Sequence, residues 1–285
     1  MKLTDILSES FNPQEWEAKG YELPKYDLKA VKEKTYNEPT WVHFGAGNIF
    51  RAFTAAVLND VLNSGKYDRG IVVAETFDYE IIDKAYAPYE NLSLLVSLKS
   101  TGDIEKKVIA SVVESIKADY QFEAEWARLV EIFRKPSLQM ISFTITEKGY
   151  ALKGLNGEFS PLAKADMEAG PAKARHAMSF VTAMLWERFN AGAYPIAVVS
   201  MDNCSHNGEK LKASVLDVAH AWAANGFVTA DFVAYVEDET KVSFPWSMID
   251  KITPRPAQVV EDMLLEAGIA DMKPIITPKN TFIAP

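Results

Sequence analysis

From Thr40 onward, short apolar runs alternate with longer amphipathic stretches. Trp41-Val42-His43-Phe44 leads into Gly45-Ala46-Gly47, and residues 49–64 then place apolar side chains at helical spacing. That is strand, glycine turn, helix. Gly65 ends the helix, and Gly70-Ile71-Val72-Val73-Ala74-Glu75 is short, β-branched and bounded by turn residues, as a fully buried strand requires. A helical stretch over 79–86 comes next, and residues 92–98 and 106–113 read as two strands around Thr101-Gly102-Asp103, spaced for a hairpin or for adjacent strands. Helical periodicity over 122–133, an apolar run over 138–143, a helix over 171–189 opened by Pro171 and closed at Ala191-Gly192, a strand over 195–200 and a helix over 209–223 continue the alternation. The order predicts an α/β domain with a doubly wound, mostly parallel sheet covered on both faces. Residues 1–38, polar and without a strong period, read as an N-terminal extension. Residues 39–275 read as the main domain, and 276–285 as the start of a connection onward.

The glycine turn is the first candidate for chemistry. Gly45 allows a tight turn and Gly47 a close backbone approach to a diphosphate, whose charge then meets free N–H groups and the positive end of the following helix. This makes a Rossmann-like, dinucleotide-binding reading natural. Phe50 stands where a third glycine would be, a departure from the commonest pattern. The same residues also suit a plain βα turn without ligand. Glu75, at the end of the second strand, is placed to accept hydrogen bonds from adenosine ribose hydroxyls and to repel a 2′-phosphate, favouring NAD over NADP. Asp78 is an alternative for that role, and a solvated strand-end acid is the plain reading of either.

Composition narrows the setting. The 285 residues allow two domains or one large one, and 48% hydrophobic with 24% charged residues is an ordinary globular balance. With 39 acidic against 30 basic residues the net charge is −9, the wrong sign for a protein that lives on nucleic acid or an anionic membrane. The single Cys204 cannot form an internal disulfide, and Met1-Lys2-Leu3-Thr4-Asp5 lacks the start of a secretion signal, so a reducing cytoplasm is expected. No run of about 18 apolar residues predicts a membrane span. His43, His176, His206 and His220 show no ligand spacing with Cys204 or acids, so no metal is expected.

Three polar clusters lie at later strand or loop positions: Ser142 to Tyr150, Ser200 to Gly208, and Phe244 to Arg255. In an open α/β sheet ligands bind outside the carboxyl ends of strands, which would bring the first two toward the nicotinamide half of a cofactor. Asn203 could donate to a developing oxyanion without titrating. Loop capping is the commoner fate of such residues taken singly, and Ser205 or Asn207 suits a cap for the next helix.

Four ordered blocks carry a resemblance: Gly45-Ala46-Gly47-Asn48-Ile49-Phe50-Arg51-Ala52; Thr144-Ile145-Thr146-Glu147-Lys148-Gly149-Tyr150; Ser200-Met201-Asp202-Asn203 with Asn207-Gly208; and Phe244-Pro245 with Met248-Ile249-Asp250-Lys251-Ile252-Thr253-Pro254. Over residues 40–255 they resemble the polyol-specific long-chain dehydrogenases, a family whose turn carries an aromatic residue and Arg after the second glycine, as Phe50 and Arg51 do here. The resemblance implies metal-independent hydride transfer between NAD and a small-molecule sugar acid or polyol. The D-mannonate/D-fructuronate pair is expected first, with mannitol 2-dehydrogenase or mannitol-1-phosphate 5-dehydrogenase activity, or a non-catalytic NAD-binding module, as alternatives. It also implies that Gly45, Gly47, Asn48, Ile49, Phe50 and Arg51 form the cofactor turn and that Thr144 and Glu147 border the cofactor. Asn203 is implied to polarise the substrate oxygen and Asp250 to lie at the substrate pocket. The family's general base is a lysine in a Lys-x-x-x-x-Asn-x-x-His motif on a second, mainly helical domain. That motif does not occur here, so the chain reads as the cofactor-binding half, with little turnover alone, as a monomer or dimer.

Overall fold

A computed structural model of the protein describes residues 1–254, 258–279 and 282–283. Arg255, at the end of the third polar cluster, and residues 280, 281, 284 and 285 of the closing segment lie outside the described residues. The chain forms two compact units, one of Met1–Asn37, Ala46–Ser115 and Lys251–Pro285, the other of Glu38–Gly45 and Ile116–Asp250.

The second unit carries parallel strands. Trp41–Phe44 pairs with Met140–Phe143, which pairs with Ile196–Ser200, which in turn pairs with Val242–Ser243. The register sets Phe44 opposite Phe143 and Phe143 opposite Ser200, so the carboxyl ends of three strands finish level. Both faces of these strands are covered, which is why their sequences are continuous apolar runs rather than alternating ones. Phe44 stacks on Phe143 with ring centroids 5.1 Å apart, and Phe180 meets Phe44 edge-on at 5.7 Å. Phe180 belongs to the helix Ala177–Gly192, which is buried from Met178 through Leu185. That helix starts later than Pro171 predicts, because Pro171–Lys173 makes only a 3-10 turn. The Asp166 carboxylate accepts the Arg175 and His176 N–H groups at 3.1 and 2.7 Å, and this holds His176 extended as the N-cap, its Nδ1 accepting the Met178 N–H.

The fully buried Arg188 binds this unit together. Its guanidinium donates to five backbone carbonyls, those of Phe133, Lys135, Leu138, Tyr194 and Pro195, at 2.6–3.0 Å. These carbonyls border the Met140–Phe143 and Ile196–Ser200 strands, so one side chain satisfies the loops that feed two neighbouring strands.

The first unit folds around Leu3, Trp16, Tyr21, Leu94, Val108 and Leu264. The polar N-terminal residues are structured, with helices Pro13–Ala18 and Leu28–Asn37 and a short strand, Tyr21–Glu22, parallel to Ile104–Ile109. Ile104–Ile109 pairs antiparallel with Ser93–Leu98, giving the expected hairpin. The expected single strand over 106–113 is instead two, Ile104–Ile109 and Val112–Lys117. The break comes where the Ala110 N–H turns to Asn59 Oδ1 (3.1 Å) and Ser111 Oγ to the Ala55 carbonyl (2.6 Å). Ser111 also accepts the Ile71 N–H through its carbonyl at 2.9 Å, at the head of the fully buried strand Ile71–Glu75. The helix expected over 49–64 likewise divides, with a wider π turn at Phe50–Ala55 ahead of α-helix Ala56–Asn63. Residues 82–86 of the helical stretch expected over 79–86 are π-helical too. Among the described residues no helix is long and apolar enough to cross a membrane.

Replacing Arg188 by methionine leaves five carbonyls, two of them buried and three part-buried, without their donor, so we expect a loss of about 3–5 kcal/mol in chemical denaturation, with Arg188→Lys recovering only part of it.

Candidate cofactor site

Gly45 follows the opening strand with φ at 107°, a backbone region closed to most side chains. A Cβ built there would stand 2.3 Å from the Thr144 carbonyl oxygen, so the chain turns directly against the end of the neighbouring strand. A directed series of hydrogen bonds leads to this point. Trp41 Nε1 can only donate, and it donates to Ser142 Oγ at 2.7 Å. The Ser142 hydroxyl proton is thereby left for His43 Nδ1, also at 2.7 Å. His43 must then carry its proton on Nε2, which donates to Thr144 Oγ1 at 2.8 Å, and the Thr144 hydroxyl faces the Gly45 carbonyl at 3.4 Å. Complete burial pushes the His43 pKa down to about 3, which keeps the ring neutral in this role. His43 is thus a brace for the turn.

In the first unit the turn continues through Ala46 and Gly47 into Asn48, Ile49, Phe50 and Arg51. Glu75 is buried at the carboxyl end of its strand, as expected, but its oxygens are engaged by backbone donors. Oε2 accepts the Ala46 N–H at 2.8 Å, and Oε1 accepts those of Phe77 and Asp78 at 2.8 and 3.2 Å. Burial raises its pKa, and the three N–H donors oppose that shift. Asp78, the alternative acid, is also buried, and its carboxylate accepts the Thr277 hydroxyl. Phe50 is fully buried, so its ring packs in the core. Arg51 is buried with its guanidinium 5.2 Å from the centre of the Tyr86 ring. Gly47 is the exception in this crowded turn, since a Cβ there would meet nothing within 4 Å. Packing within the protein does not require glycine at 47. The space beside it suits an anion that rests against main-chain amides at the helix start. Asn48 and Arg51 also line a cavity of about 650 Å³, within the range of small-molecule sites.

In the second unit the structure joins clusters that the sequence offered separately. Asp202 reaches back to the end of the neighbouring strand, where its carboxylate accepts the Ile145 and Thr146 N–H groups at 2.9 and 3.0 Å and the Tyr150 hydroxyl at 2.6 Å. The short helix Thr146–Tyr150, opened by Thr146 at φ 66°, is therefore anchored to the loop after Ser200. Glu147 forms an ion pair with Lys210 on the outside of this junction. Asn207 is buried and makes the second link. Its Nδ2 donates to the carbonyls of Ser200, Asp202 and Ser247 at 3.0–3.3 Å, and its Oδ1 accepts the Ser247 N–H at 3.2 Å. All three polar clusters converge in this way. Asn203 lies on the loop between Asp202 and Asn207 with its side chain exposed, and Asp250 is exposed at the end of the unit. Burial raises the Cys204 thiol pKa, the opposite of an activated nucleophile. Sequence reasoning offered Asn207 only as a cap for the next helix, a position that His206 takes instead, and did not single out Asp202, Tyr150 or Tyr86. Asp202, Asn207 and Tyr150 stood inside named clusters, whereas Tyr86 carried no signal beyond an apolar helical stretch.

Parallel strands ending level, a glycine turn into a helix and a buried acid at the next strand's end define a nucleotide-binding domain of the Rossmann class. Residues 39–267 match the family model described as the mannitol dehydrogenase Rossmann domain, and the chain belongs to that family. It is 50% identical to the D-mannonate oxidoreductase of Thermotoga maritima over 270 residues, covering 95% of this chain and 50% of that protein. It is 31% identical to the mannitol 2-dehydrogenase of Cereibacter sphaeroides over 259 residues, covering 88% of this chain and 50% of the relative. Among solved structures, the ternary complex of Pseudomonas fluorescens mannitol 2-dehydrogenase with NAD and D-mannitol aligns with a TM-score of 0.75 at 26% identity, covering 96% of this chain and 52% of that one. The chain spans about half the length of the curated relatives it matches.

The two glycines should separate cleanly in a stability assay. Gly45→Ala should cost about 3 kcal/mol or more, from the positive φ and the clash with Thr144, whereas Gly47→Ala should change the unfolding free energy by only about 0.5 kcal/mol. Equal effects in parallel urea melts would contradict the geometry described.

Proposed function

We propose that this chain is the cofactor-binding half of an NAD-dependent oxidoreductase that acts on a sugar acid or polyol, of the D-mannonate/D-fructuronate type. The observation that carries the reading is the contrast at the turn, where Gly45 is demanded by the fold and Gly47 by nothing inside the protein. Glycine at 47 makes sense if a ligand occupies the room a side chain would take. The 50% identity to a D-mannonate oxidoreductase supports the choice of substrate class.

When bound, NAD supplies the hydride acceptor; this chain's residues bind, orient and stabilise around it. Backbone amides from Gly47 onward take the diphosphate, aided by the helix start. Glu75 holds the turn through the Ala46 N–H, and its buried negative charge disfavours a 2′-phosphate, which selects NAD. Thr144 and Glu147 border the nicotinamide half, with Thr144 held by His43 and the Thr146–Tyr150 helix by Asp202. Asn203, exposed on its loop, donates to the substrate oxygen as its charge changes, and Asp250 lines the substrate pocket.

The test is a fluorescence titration with NADH. The wild-type chain should bind saturably, and Gly47→Val, with an unchanged circular dichroism spectrum and melt, should lose at least about tenfold in affinity, because the valine fills the space opposite the amides. A folded Gly47→Val chain that binds as wild type does would overturn the proposed pocket.

A further inference from the structure

The Ala46 residue of the glycine turn is gripped on both of its backbone groups by side chains. Its N–H donates to Glu75 Oε2 at 2.8 Å, and its carbonyl accepts the Tyr86 hydroxyl, also at 2.8 Å. Tyr86 is 1% exposed, and burial pushes its phenol pKa well above the usual range, so the hydroxyl is a proton donor throughout the working pH range. The peptide that joins Ala46 to Gly47 is trans, as are all the described peptide bonds. In a planar trans peptide the carbonyl and the next N–H point in opposite directions. A hydroxyl that fixes the Ala46 carbonyl therefore fixes the direction of the Gly47 N–H, which faces away from Tyr86. The same ring lies under the Arg51 guanidinium, 5.2 Å from its centre, so one side chain touches both the turn and the helix after it.

The geometry points to Tyr86 as a positioning residue for the cofactor: its hydroxyl orients the Gly47 amide toward the diphosphate of a nicotinamide dinucleotide. This rests on the functional reading above and extends it to a residue that touches no ligand itself. A carbonyl left without its donor is free to rotate the peptide plane, and the amide on the far side of that plane then loses its aim before binding. Phenylalanine keeps the ring, its packing and its face toward Arg51, and removes only the hydroxyl.

The experiment compares wild type with Tyr86→Phe by titration with NADH, ADP and adenosine, alongside a thermal melt. We expect Tyr86→Phe to weaken NADH and ADP about tenfold, the scale of one misplaced hydrogen bond, while adenosine, which lacks the diphosphate, binds both chains alike. A purely structural effect would weaken all three together or none, and either pattern in a folded Tyr86→Phe chain overturns the inference while leaving the functional reading intact. Failure of the wild-type chain to bind NADH or ADP at all would instead remove the reading, and this inference with it. If Tyr86→Phe does not fold, 3-fluorotyrosine at position 86 keeps the hydroxyl and carries the test. Its fluorine resonance should shift as NADH saturates the chain, and a resonance unmoved at saturation overturns the coupling.

Discussion

The steric limit at Gly45 sets the path of the chain out of its opening strand. With φ at 107° and the Thr144 carbonyl where a Cβ would stand, the backbone reverses immediately beside the end of the neighbouring strand. Only two residues then separate that reversal from Asn48, so the chain passes from strand to helix with no slack between them. A turn one residue longer would lose that constraint. Hydrogen bonds from His43 through Thr144 hold Gly45, and those from Glu75 and Tyr86 hold Ala46, in conformations that backbone preference alone would leave loose.

Register does comparable work in the second unit. Because Phe44, Phe143 and Ser200 are partners in adjacent strands, the polar segments after them begin at one level, and Asp202 needs only its short side chain to reach Ile145, Thr146 and Tyr150. The linkage is costly to dismantle where it is shielded from water, at the Ile145 N–H and the Tyr150 hydroxyl, both of which would lose their partner. It gives the loop that carries Asn203 a fixed base while leaving the Asn203 side chain itself in solvent.

A feature was legible in the sequence where few residue types could serve. The glycine turn could be read because a positive φ leaves few substitutes, and the buried parallel strands because uninterrupted β-branched runs fit little else. The family blocks added order to these local signals. The break at Ala110-Ser111 was not legible, because it is set by Asn59 and Ala55, far away along the chain. The later start of the Ala177–Gly192 helix was hidden in the same way, decided by Asp166 rather than by the proline nearby. Asp202 and Asn207 look like ordinary loop residues until the register brings their partners within reach. Glu75 shows the opposite case. Its position was foreseen, yet its engagement with the Ala46 amide depends on the path of the turn and could not be.

The diphosphate site proposed for the nicotinamide dinucleotide is the main chain at Gly47 and Asn48. The most direct measurement is a proton–nitrogen correlation spectrum of the labelled chain recorded as NADH is added. The Gly47 and Asn48 amide resonances are expected to move early and far, in proportion to saturation. Saturable binding that leaves both resonances in place, with the changes clustered elsewhere, would contradict it.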